Sequence, residues 1–141
     1  MKEKYSPMMM QYLKIKEENK DSIVMFRLGD FYEMFFDDAL VVSKTLNLTL
    51  TGKNAGAKER VPMCGVPHHS ANGYIQKLID SGFKVAIVEQ LSDPGKKGIV
   101  ERGVVQIITP GTILSLNERR NNYIGSLGVF DFNYTLAYCD I

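Results

Sequence analysis

The stretch Ile23–Phe36, IVMFRLGDFYEMFF, constrains the fold more than any other part of the chain. Ile23 to Leu28 is a short apolar run of the length of a buried strand. Gly29-Asp30 is a turn signal. The residues that follow alternate, so that an extended backbone points Phe31, Glu33 and Phe35 one way and Tyr32, Met34 and Phe36 the other. A ring and a carboxylate therefore share one face of a strand.

The flanking sequence supplies helices. Ser6-Pro7 places a capping hydroxyl and a proline at a helix start, and the helix should run to about Asn19 with Met8, Met9, Tyr12, Leu13 and Ile15 on its apolar side. Asp37 is expected as the N-cap of a second helix through Ala39, Leu40, Val42 and Leu46, with Asp38 in its first turn. Ser70 should cap a third, ended by Gly82. Strands are expected at Leu48–Thr51, Lys84–Gln90 and Arg102–Thr109, with Gly52–Arg60 a basic glycine-containing loop and Leu91–Glu101 another loop. After Gly111 the chain turns polar and linker-like, and Gly125–Ile141 reads as a hairpin or two strands with nothing after them to pack against, as in a piece of a longer chain. The fold class is α/β (α+β): a mixed central sheet flanked by helices, with a short C-terminal strand pair.

Several chemistries are disfavoured. The net charge of +1 over 141 residues argues against bulk electrostatic attraction to nucleic acid or anionic membrane. Two distant cysteines, Cys64 and Cys139, imply free thiols in a reducing compartment, and the chain has neither an apolar run of membrane-spanning length nor a signal-peptide core, which together read as cytoplasmic. The loops GKNAGAKER and DPGKKG lack the spacing of a phosphate-binding loop. Cys64, His68 and His69 supply only part of a zinc ligand set, so Cys64 is better read as a small buried apolar residue. Asp30, Glu33, Asp37 and Asp38 do not follow calcium-loop spacing. No nucleophile, base and acid fall into a recognisable set.

Phe31 and Glu33 admit two readings. Phe31 is a core ring and Glu33 an edge-strand charge, or Phe31 is an exposed wedge able to part stacked bases beside a carboxylate that accepts from a base N–H. A protein-docking surface made of Phe31 and Met34, and a nuclease metal held by Asp30 and Glu33, are the alternatives outside base recognition.

The segments FRLGDFYEMFFDDA, VPMCGVPHHS, KVAIVEQ, DP and VVQIITPGT resemble, in that order, the N-terminal mismatch-recognition domain of bacterial MutS proteins, which act in DNA mismatch repair. The resemblance covers about Ser6 to Thr112. It implies that the intercalating phenylalanine is Phe31 and the base-contacting glutamate Glu33. It suggests further groove neighbours at Leu28, Asp30, Pro62 and Met63, and Lys53, Lys58 and Arg60 are candidates for the phosphate backbone. It divides the chain into residues 1–114 as the recognition domain, 115–124 as linker and 125–141 as the start of a connector domain. It implies mismatched double-stranded DNA as partner, a homodimeric clamp and the downstream protein MutL in the full-length protein, and a chain that is nucleoid-associated when bound to DNA. It places ATP and Mg in a C-terminal ATPase that this chain lacks, so no catalysis and no cofactor are expected here.

Overall fold

The computed structural model describes residues 5–56, 60–92, 99–111 and 123–140. Its elements are α1 (Pro7–Glu18), β1 (Ser22–Leu28), β2 (Phe31–Phe35), α2 (Phe36–Leu46), β3 (Thr51–Asn54), β4 (Arg60–Pro67), a 3-10 turn (His68–Ser70), α3 (Ala71–Asp80), β5 (Lys84–Gln90), β6 (Arg102–Ile108), β7 (Tyr123–Phe130) and β8 (Asn133–Asp140). Six strands form one sheet in the order β3-β4-β2-β1-β5-β6, and β7 and β8 form a separate antiparallel pair. Within the six, β1 pairs with β5 in parallel and every other neighbour is antiparallel, so the sheet is mixed.

Both faces of this sheet are covered, and that explains why β1 is an unbroken apolar run. On one face Ile23, Met25, Tyr32, Met34, Cys64, Val66, Val85 and Ile87 pack with Ala39 and Val42 of α2 and with Ile75, Leu78 and Ile79 of α3. On the other, Val24, Phe26, Phe35, Val61, Ala86 and Val88 pack with Met9, Tyr12 and Ile15 of α1. α1 begins as its sequence implies: Ser6 Oγ accepts from the Met9 N–H at 3.3 Å, and Pro7 occupies the first helical position.

The second helix departs from expectation. Its N-cap is Phe35, which makes no side-chain cap bond, so β2 runs into α2 without a connecting residue. Asp37 sits exposed in the first turn. Phe36 has a positive φ of 52°, a conformation costly for a bulky side chain. Strand alternation would send Phe36 toward α2 and α3. Instead its ring lies on the α1 side, with centroids 5.9 Å from Tyr5 and 6.1 Å from Tyr12.

Asp38, expected as an ordinary first-turn acid, is buried at the centre of a network. Its Oδ2 accepts from the Val24 N–H at 3.0 Å and lies 3.2 Å from the Tyr12 hydroxyl, while Oδ1 accepts from Lys16 Nζ at 2.9 Å. The Tyr12 hydroxyl is also 3.1 Å from the Phe35 carbonyl, so one proton is shared between two acceptors. Burial, then the nearby Asp38 charge, pushes the Tyr12 phenol far above its ordinary pKa.

Other boundaries moved for identifiable reasons. The strand expected at Leu48–Thr51 starts only at Thr51, because Asn47 adopts the left-handed conformation (φ 53°) and the Leu48 N–H donates back to Ser43 O at 2.9 Å, finishing α2. The expected loop Gly52–Arg60 contributes both its ends to strands β3 and β4, and β4 itself was not foreseen. Ser70 does not cap α3 with its side chain. The 3-10 turn precedes the helix, and the Ser70 hydroxyl donates to Pro67 O at 3.3 Å. Gly82 ends α3 as expected, with φ +86°.

Asp38→Ala should leave the Val24 N–H without its acceptor and the Lys16 ammonium without its counter-ion. Since the lysine retains some solvent, a loss of about 3 kcal/mol is expected, measured by urea unfolding. Asp38→Asn, which keeps an acceptor oxygen, should lose less, and equal stability of Asp38→Ala and the parent chain would contradict this account.

Candidate nucleic-acid interface

α1 covers only one end of its sheet face. The strand registers align Leu28, Phe31 and Pro67 at one level, Phe26, Glu33 and Gly65 at the next, and Phe35, Met63 and Thr51 at the third. Because paired residues point to the same side, Leu28, Phe31, Glu33, Met63, Gly65 and Pro67 all belong to the α1 face. Phe35 lies under α1 with 0% exposure, whereas Phe31, four residues earlier on the same face, is 47% exposed. The face thus changes from core to open surface within one short strand.

The open end is braced from below and beside. Gly29 takes a positive φ of 57° in the β1–β2 turn, where the Arg27 Nε–H donates to its carbonyl at 2.5 Å. The Asp30 carbonyl accepts from the His68 N–H at 2.8 Å. On the opposite face, the Tyr32 hydroxyl hydrogen-bonds Glu89 Oε1, and the Arg27 guanidinium lies 3.7 Å from Glu89 Oε2 and 5.6 Å from the Tyr32 ring centroid. Burial, then the hydrogen bond to Glu89, pushes the Tyr32 phenol up to about 12. Glu33 is partly buried and its Oε2 is ion-paired with Lys53 Nζ on β3.

Phe31, Glu33, Leu28 and Met63 are thus brought onto one face, with Lys53 at its β3 margin and Asp30 exposed in the adjoining turn. By alternation along β4, Pro62 points to the other face, the side of Cys64 and Val66. Arg60 is exposed at the start of β4, its guanidinium donating to the Gly52 carbonyl. Lys58 lies outside the described residues. Met34 has 0% exposure, so a docking surface of Phe31 with Met34 does not form. Among the described residues no group of three or more His, Cys, Asp or Glu side chains could hold a metal. Cys64 is buried, as expected of a small apolar residue, with its thiol pushed up to about 11 by burial. Both cysteines are free.

Sequence reasoning missed Gly65, Pro67 and the Arg27–Tyr32–Glu89 support. Gly65 and Pro67 alternate in phase with Met63, a signal that becomes visible once β4 is recognised as a strand. Glu89 is 57 residues from Tyr32, and no local pattern links the two.

Residues 6–117 match the family described as MutS domain I. Curated relatives named DNA mismatch repair protein MutS include those of Acholeplasma laidlawii, 62% identical over 98% of this chain, and Clostridioides difficile, 58% identical over 98%. The relative from Clostridium tetani is 55% identical over 98% of the chain. The chain spans only 15–16% of the length of these relatives.

The raised Tyr32 phenol generates a pH prediction. A tyrosine bound more tightly to its proton when folded stabilises the fold fully below the unfolded value of 10.0, and that contribution is lost as pH rises toward about 12. Tyr32→Phe should be less stable than the parent at pH 8 and lose less stability between pH 10 and 12. Parallel stability curves for the two proteins over that interval would contradict it.

Proposed function

The chain belongs to the MutS domain I family, and from that premise we propose that it recognises mispaired or unpaired bases in duplex DNA, with Phe31 as an aromatic wedge in the minor groove and Glu33 as the neighbouring acceptor. The observation that carries this reading is the half-exposed Phe31 ring at the end of a strand whose other rings are packed, with a carboxylate one strand repeat away.

The physics favours a sensor of deformability. Parting two stacked base steps costs on the order of a few kcal/mol, a cost that an intact duplex imposes in full. A mispair has already lost part of its stacking and pairing, so the ring enters there at lower cost. Glu33 can accept a hydrogen bond from a displaced base N–H, while its charge is unfavourable in a groove that is itself negative. Leu28, Asp30 and Met63 would line the approach to the pair, and Lys53 and Arg60 would lie near the phosphate backbone. Lys58 has the right charge for the same role. Pro62, facing the other side of the sheet, would act through the backbone of β4.

We assign residues 1–114 to the recognition domain, 115–124 to a linker and 125–141 to the start of a following connector domain, with the β7–β8 hairpin beginning two residues before that boundary, at Tyr123. The exposed Leu127, Val129, Leu136 and Tyr138 of that hairpin suit a surface covered by further chain. A homodimeric clamp, an ATP- and Mg-dependent ATPase and a partnership with MutL would belong to the full-length protein. This chain contains no phosphate loop of the G-x-x-x-x-G-K-[ST] kind, and none of its residues is assigned a step with ATP. Among the described residues no helix is long and apolar enough to cross a membrane. A cytoplasmic chain, located at the nucleoid when bound, is the setting this function requires.

Phe31→Ala in the full-length protein should abolish the preference for mispaired over matched duplex while shifting stability by less than about 1 kcal/mol, because the ring is half exposed. Fluorescence anisotropy on the two duplexes, with a thermal melt, measures both. Retained preference would refute the wedge, and unfolding would return Phe31 to the core. Glu33→Ala should tighten binding to matched duplex more than to a mispair, since charge is removed from both complexes and a base contact from one. Equal shifts on the two duplexes would exclude Glu33 from recognition.

A further inference from the structure

Glu33 does not present a bare carboxylate. Its side chain is 16% exposed and is ion-paired through Oε2 with Lys53, itself 30% exposed, which reaches from β3 across the intervening strand β4. The Lys53 ammonium also lies over the Phe35 ring, with Nζ 5.7 Å from the ring centroid, so the packed end of the face helps to hold it. Gly65 stands opposite Glu33 on the intervening strand. A Cβ there would crowd the Tyr32 carbonyl at 3.2 Å and touch Glu33 Cγ at 3.5 Å, so glycine lets β4 pack closely against β2 beneath the glutamate stem.

We propose that Lys53 is a specificity-determining residue of this site: as the built-in counter-charge of Glu33, it masks the carboxylate's repulsion from duplex DNA, and discrimination is set by the pair instead of by Glu33 alone. The proposal rests on the mismatch-recognition reading above. Three features carry it. The pair is partly desolvated, so its charges are screened less by solvent than those of an exposed pair. It is local, three strands wide and beside Phe31, so the groove that receives the ring meets both charges together. It engages one carboxylate oxygen, leaving Oε1 for a base donor while Oε2 stays on the lysine.

The consequence is a division of effects that a simple phosphate contact would not give. A lysine that only touches the backbone contributes equally to matched and mispaired duplex. A lysine that masks Glu33 contributes most where the carboxylate has no compensating hydrogen bond, which is matched duplex. Removing it should sharpen discrimination while weakening binding overall.

The test is Lys53→Met in the full-length protein, which keeps the apolar stem and deletes the charge, with Lys53→Gln as a second neutral variant and Lys53→Arg as the charge-keeping control. Dissociation constants are measured on one mispaired and one matched duplex at fixed salt. The mispair-to-matched preference should rise about fivefold in both neutral variants and stay at the parent value in Lys53→Arg. In a Glu33→Gln background, Lys53→Met should leave the preference unmoved, because no carboxylate remains to unmask. An equal loss of affinity on both duplexes, or no loss on either, overturns the assignment of Lys53. Phe31→Ala is run alongside. If it keeps the preference, the mismatch reading itself fails; if it loses the preference while the Lys53 variants leave it unmoved, the Lys53 assignment alone fails.

Discussion

The buried carboxylate of Asp38 ties together α1, β1 and α2. It takes a backbone proton from β1, a hydroxyl and an ammonium from α1, and itself sits in the first turn of α2. A buried charge is tolerated only when it is paired and hydrogen-bonded, and here the requirement fixes three elements at once. Lys16 extends the same arrangement by donating to the Ser22 carbonyl at 2.7 Å, at the point where β1 begins. Docking α1 at that end of the sheet leaves the other end of the same face uncovered. The location of the candidate interface is thus a consequence of where one acid is satisfied.

The division of labour between strand faces follows from the same placement. β2 sends Tyr32 and Met34 into the core with α2 and α3, while Phe31, Glu33 and Phe35 share the α1 side. Only Phe35 is reached by α1. Neighbouring positions of one strand therefore have different solvents: hydrocarbon for Phe35, a lysine and partial water for Glu33, and open water for much of Phe31. Few residues are needed to build such a gradient, because the strand repeat advances quickly relative to the width of a helix.

Much of this was legible in the sequence. The run IVMFRL, the Gly29-Asp30 turn and the alternation of FYEMF all reflect local geometry, and β1, β2 and the first helix follow it closely. The mixed sheet with a separate C-terminal strand pair was likewise expected. What was not legible was long-range. Asp38 satisfies helix-start chemistry as well as any acid, and nothing nearby indicates that Lys16, Tyr12 and Val24 converge on it. Phe36 was assigned by alternation to the wrong face, because a positive φ resets the alternation and is not written in the residue type. β4 carries two prolines, Pro62 and Pro67, which weigh against a strand. Within the candidate site, Phe31 and Glu33 were singled out from their neighbours, whereas the Lys53 pairing requires knowing that β3 lies two strands from β2.

The direct passage of β2 into α2 has a mechanical meaning. Most functional tips sit on loops and yield when pushed. Phe31 sits on a beam held at both ends: at one by the Arg27 and His68 bonds to the turn, at the other by a helix that begins with no slack residue between. A body pressed against that ring meets a stiff support, and where a stiff and a compliant body share a load, the strain goes into the compliant one. Duplex DNA is softest at its weakest base steps. A tip that does not give way turns a small difference in the stiffness of its counterpart into a difference in fit.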